Sequence, residues 1–174
     1  MDSTSSPARG AQFNNSAKPV EGRHAVPPGA KRFFRGTVRP TVDEFFRDVR
    51  DIRRGRLAAI VLFHMADLGF GNDPNANKRT LKELHEQLIK DCPDFGLISD
   101  IANASKHDRL TMGTDRKLSS SDQITRTPGT FHAPFNTAAF NEASIVIVTH
   151  DDGKSQPLGG VVRSVLEMWE AKIQ

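Results

Sequence analysis

The chain has 174 residues, 37% of them apolar, with a formal net charge of +3 and one cysteine, Cys92. That length fits one domain. The lone cysteine excludes an intramolecular disulfide and a thiolate zinc cluster, and no apolar run approaches the ~20 residues of a membrane span. The opening MDSTSSPARG lacks the apolar core of a signal peptide, so the expectation is a cytoplasmic protein in a reducing compartment, with no membrane partner.

Residues 1–39 are rich in Ser, Pro, Gly, Asn and Ala, and hold seven basic residues against Asp2 and Glu21, a net of +5. Residues 40–174 hold 17 basic and 19 acidic residues, a net of −2. The positive charge is therefore concentrated in the first segment, which is expected to be a disordered basic tail, either a solubilising extension or one that touches nucleic acid or an acidic surface. Phe33 and Phe34 are its apolar exceptions and are expected to dock onto the body.

A single helical domain is expected over 40–174. Thr41 is a good N-cap, and Asp43 and Glu44 suit the positive end of a helix dipole. Val42, Phe45, Phe46, Val49 and Ile52 then recur at helical spacing. Gly55 is expected to kink or split this helix. LAAIVLFHMADLGF (57–70) is apolar nearly all round, the pattern of an element in the middle of a bundle. GFGNDPNANK (69–78) is a loop that lacks the Gly-Lys-Ser/Thr ending of a phosphate loop.

A second helix is expected from about Thr80 to Asp91, stopped by Pro93. A third begins near Asp94, with Leu97, Ile98, Ile101, Ala102 and Ala104 on its buried side. Residues 111–158 read as an irregular or β insertion, with Phe131, Phe135 and Phe140 spaced among Ser, Thr, Gly and Pro. Within it SIVIVTH (144–150) is a strand and DDGK (151–154) a turn. Its partner strand is expected at 154–158 or from 122–135. A last helix over about 161–173 puts Val162, Val165, Leu166, Trp169 and Ile173 on one stripe. The expected fold is mainly α: about four helices in a bundle, with a small β-hairpin or strand element near the C-terminus.

Two sets of polar residues interrupt the apolar helices. His64 and Asp67 are three apart and share a face; a buried carboxylate needs a partner, and His64 is the nearest. In ISDIANASKHDRL (98–110), Asp100, Asn103 and His107 stand at i, i+3 and i+7. At about 100° per residue they lie within about 60° of one another, a polar ladder about 10 Å long. Lys106 lies to one side. A neutral imidazole accepts a proton near neutral pH, Asn103 is suited to holding a substrate oxygen, and Lys106 to offsetting phosphate charge. The alternative is an exposed stripe in which Lys106, His107 and Arg109 complement the helix C-terminus. His85, flanked by Glu83 and Glu86, is expected at the surface. Cys92 precedes Pro93 with no base in sequence reach, so nucleophilic catalysis finds no support.

The Asn-x-x-x-His of ANASKH (102–107) resembles part of the signature of HEPN-domain proteins, many of them bacterial ribonucleases of toxin–antitoxin and phage-defence systems. Asn103 matches their polar position and His107 their histidine, while Ala102 stands where they carry Arg. A second formal match, Arg79 to His85, has Thr80 after the Arg. The resemblance implies a helical bundle, an RNA or protein partner, a homodimer and no cofactor. With Arg absent, it implies an interaction or regulatory module before a metal-independent ribonuclease using His107. A third reading is a metal-dependent phosphohydrolase of the HD type, with His64, Asp67, His107 and Asp108 as ligands.

Overall fold

The computed structural model describes residues 27–70, 78–111, 116–127 and 144–174. The chain is mainly helical, with five helical rods and a small three-stranded antiparallel sheet toward its C-terminal part among these residues.

The first rod corrects the expected tail over residues 28–39; residues 1–26 lie outside the described residues. Helix α1 (Pro28–Phe33) runs through a π-helical turn (Phe34–Val38) into α2 (Arg39–Arg47) with helical dihedrals at both junctions. Pro28 suits a first helical position, where its missing N–H is no loss. Ala30, Phe34 and Val38 are buried beside Val42 and Phe45. An apolar stripe hidden among Lys and Arg thus repays the ordering of a segment whose composition reads as disordered. The expected boundary at residue 39 therefore falls inside a helix.

The rod breaks at residues 48–51, where two aspartates supply competing acceptors. Asp48 Oδ1 accepts the Arg50 N–H at 3.3 Å, a local Asx turn. Asp51 Oδ1 accepts the Arg54 N–H at 3.1 Å and caps α3 (Ile52–Phe70). Gly55 does not split the helix, as its sequence position suggested. It is buried in the first turns of α3, where an added Cβ would stand 2.7 Å from Leu158 Cδ2 and 3.2 Å from Phe45 Cε2. Its role is to let two neighbouring elements approach.

Helix α4 (Lys78–Asp91), α5 (Asp94–His107) and α6 (Leu158–Ile173) complete the bundle. Helix α3 touches every other helix and is its axis. Strands β1 (Ile124–Arg126), β2 (Val146–Thr149) and β3 (Ser155–Pro157) form the sheet in that order, with Ile124 opposite Val148 and Val148 opposite Gln156. Both partner segments expected for the central strand are therefore used. Val146 and Val148 face inward, and Val146 N–H donates to Val49 O at 2.9 Å, tying the sheet to the α2–α3 connection. The turn before β3 carries Gly153 at φ +85°, the left-handed region that glycine enters freely.

Residues 111–158 are only partly an excursion, because Leu118, Ile124, Val146 and Val148 belong to the one core cluster. Phe131, Phe135, Phe140 and most of the 69–78 loop lie outside the described residues. Trp169, Phe45, Phe95, Leu62 and Met65 are the largest fully buried side chains. Among the described residues no helix is long and apolar enough to cross a membrane.

Candidate functional site: a cleft at the C-terminal end of helix α5

Helix α5 is continuous from Asp94 to His107, so the spacing of its polar residues becomes real geometry. Asp100, Asn103 and His107 line one cleft of about 540 Å³, together with Arg109, Leu110, Thr111 and Arg116. Lys106 is exposed and does not line it.

Each ladder residue sits differently. Asp100 is half-buried at the floor, and its Oδ2 accepts the Lys117 N–H at 2.8 Å. Burial pushes its carboxyl above the ordinary carboxylate value of 3.8; the Lys117 and Leu118 N–H groups and the Arg116 charge oppose this, while Asp151 adds to it slightly. Asn103 is half-buried, and its Nδ2 lies 3.4 Å from Ser99 Oγ. His107 is exposed at the rim, and among the described residues no other side chain holds its imidazole.

The rest of the cleft depends on how α5 stops. Asp108 takes φ 64° and ψ −53°, and the Arg109 N–H donates back to His107 O at 2.7 Å. This is a γ-turn of positive φ, a strained conformation for a residue with a Cβ. It is secured from the other side. Ser121 Oγ donates to Asp108 Oδ1 at 2.6 Å and Ser121 N–H to Asp108 O at 2.8 Å. Leu110 N–H then donates to Ser119 O at 2.8 Å, and Arg109 pairs with Ser120 as an isolated bridge. The chain is thereby folded back beside α5, with Arg109 and Arg116 on the cleft.

A polar network braces this return. Asp151 Oδ1 accepts from Ser119 Oγ at 2.9 Å and from Gln123 Nε2 at 2.8 Å. Hydrogen bonds from Gln123, first, and from Ser119 hold the Asp151 carboxyl below its ordinary value. Ser120 and Gln123 close a capping box, and Arg56 donates to Ser121 O at 2.9 Å.

Asp100 has a consequence for folding. Its proton affinity is higher folded than unfolded, so its contribution to stability is fully present below 3.8 and is lost as pH rises through the raised folded value. Asp100→Asn keeps an acceptor for Lys117 and removes the titration. In urea melts, the stability of the variant relative to the parent is expected to rise between about pH 3 and about pH 7. A difference that stays constant across that range would show that Asp100 titrates alike in both states.

The other sequence candidates lie elsewhere. His64 Nδ1 stands 3.1 Å from Asp67 Oδ2, the expected partner, but the pair is at the surface, with side chains 54% and 41% exposed. Asp108 is engaged by Ser121. Among the described residues no three His, Cys, Asp or Glu side chains are grouped to hold a metal ion. His64, Asp67, His107 and Asp108 are thus not assembled into the ligand set of the phosphohydrolase reading. Cys92 is buried, with Sγ 3.4 Å from Ser164 Oγ.

His85 departs from its expected surface position. It is half-buried with its ring centroid 5.3 Å from Phe63 and 5.9 Å from Phe95, and burial lowers its pKa against a small opposing effect of Asp67. Arg116 escaped the sequence reading, and Arg109 entered it only as a helix-end cation, not as part of a cleft. They fall after the helix ends, where a 3.6-residue period no longer says which side chains share a face.

No protein-family model matches the chain, and no curated protein or solved structure matches it significantly.

Proposed function

We propose that the chain is an interaction module, RNA-directed and regulatory in role, that holds an RNA phosphate in the cleft at the end of α5. The observation that carries this is the meeting of Asn103, His107, Arg109 and Arg116 around one concavity. A guanidinium presents a planar fork of donors suited to phosphate oxygens. The Asn103 amide donates and accepts, and Leu110 and Thr111 offer a less polar wall. Arg109 and Arg116 bring to the cleft the cationic group that Ala102 does not; Ala102 itself is buried, 6% exposed.

Binding is favoured over catalysis for a chemical reason. A general base works best when a second group orients its imidazole. The nearest carboxylate on the ladder, Asp100, is already committed to the Lys117 backbone.

Fluorescence anisotropy with a labelled single-stranded RNA tests the proposal. Arg109→Ala is expected to weaken binding about tenfold or more, the worth of a charge-assisted hydrogen bond of about 1.5–3 kcal/mol. Total RNA is expected to give the same profile after incubation with the parent and with His107→Ala. Affinity unchanged by Arg109→Ala would end the phosphate reading. RNA degraded by the parent but not by His107→Ala would replace it with the metal-independent ribonuclease that the HEPN resemblance implies.

A further inference from the structure

A second surface, apart from the cleft's residues, carries a polyanion signature. Between Glu21 and Asp43 the sequence contains no acidic residue. The net charge of residues 1–26 is only +1, from Arg9, Lys18 and Arg23 against Asp2 and Glu21. Most of the excess of the first 39 residues is therefore carried by Lys31, Arg32, Arg35 and Arg39, on the first helical rod.

One of these four is already neutralised. Arg39 pairs with Asp43 and Glu170. Lys31, Arg32 and Arg35 have no carboxylate partner among the described residues. They line, with Pro28 and Gly36, an open groove of about 560 Å³. Arg35 follows Arg32 by three residues and Lys31 by four, and all three line the one groove, so like charges are gathered on one surface. Like charges so placed repel and destabilise a helix. A chain of phosphates laid in the groove would relieve that repulsion.

A bilayer fits this surface less well. An interfacial helix needs a free apolar face beside its charged one. Here that face is spent on the core: Ala30, Phe34 and Val38 are buried, and Phe33 packs against them.

We propose that the groove of Lys31, Arg32 and Arg35 binds the phosphodiester backbone of single-stranded nucleic acid, without reading bases. The inference is independent of the α5 cleft. Three phosphate contacts contribute about −2 to the slope of log K against log salt, at about −0.7 per contact on a single strand.

The test is a salt titration of oligouridylate binding to the full chain. The triple variant Lys31→Gln, Arg32→Gln, Arg35→Gln is expected to make the slope shallower by about 2. The pair Arg32→Lys, Arg35→Lys should keep it, because charge alone is used. All three substituted side chains are outside the core, and thermal melting of each variant checks that the fold persists. An undiminished slope in a folded triple variant overturns the proposal, as does a parent that does not bind oligouridylate at low salt. So does a triple variant that loses binding to phosphatidylserine vesicles while its oligouridylate slope is unchanged. Repeating the titration with Arg109→Ala separates the two sites, since the groove effect should persist at full size whether or not that substitution matters.

Discussion

Trp169→Ala is expected to lower the unfolding free energy by about 3–5 kcal/mol, the usual cost of emptying a large aromatic site in a core. Trp169 is 1% exposed and sits where α6 meets α3 and α5. Its ring meets Phe95 edge-on, with centroids 6.2 Å apart and planes at 80°. Such pairs contribute about 0.5–1.5 kcal/mol beyond the area they bury. Its indole N–H donates to Leu62 O at 3.0 Å, a bond from α6 to the backbone of the central helix.

The Leu62 carbonyl lies within α3 and has a helical partner as well, so Trp169→Phe should cost less. About 1–2 kcal/mol is expected, for a lost hydrogen bond and a smaller ring. Urea unfolding of parent, Phe and Ala variants checks the order. An alanine variant within about 1 kcal/mol of the parent would contradict this packing.

Asp108→Ala is expected to cost about 2 kcal/mol, and Asp108→Gly about 1 kcal/mol less than that. Both substitutions leave the hydroxyl of Ser121, itself only 7% exposed, without its carboxylate acceptor. Only glycine relieves the positive φ of the γ-turn. Glycine usually destabilises relative to alanine near a helix, so the reversed order is diagnostic. Both variants should also bind RNA more weakly, because the γ-turn sets the position of Arg109. Equal stability for the two variants would mean that Asp108 has left this conformation. The comparison uses denaturation midpoints at neutral pH.

Helices α3 to α6 were legible because each carries a long apolar period and its own stop signals. Pro93 ends α4, and the stripe of Val162, Val165, Leu166 and Trp169 is buried in α6. The strand at SIVIVTH was legible for a similar reason: it is a short, unbroken run of β-branched residues. The rod from Pro28 was not. Its stripe of Ala30, Phe34 and Val38 is interleaved with Lys, Arg, Gly and Thr, and it crosses a π-helical turn that shifts the period. The break at residues 48–51 was missed because Asp48 and Asp51 act through their own backbone hydrogen bonds, which an apolar pattern does not record.

The candidate site divides in the same way. A straight helix carries its own coordinates, so the sequence alone determined that Asp100, Asn103 and His107 share an edge of α5. Tertiary structure decided the rest: that Lys106 faces away, that Arg109 and Arg116 join the edge, and that Asp100 is half-buried beneath residues 116–118. Those outcomes rest on one strained residue, Asp108, held by Ser121 from a segment 13 positions away. Local periodicity extends only as far as the helix that bears it. Where the chain turns back, contacts between distant residues set the geometry, and their closure entropy is repaid by the folded whole.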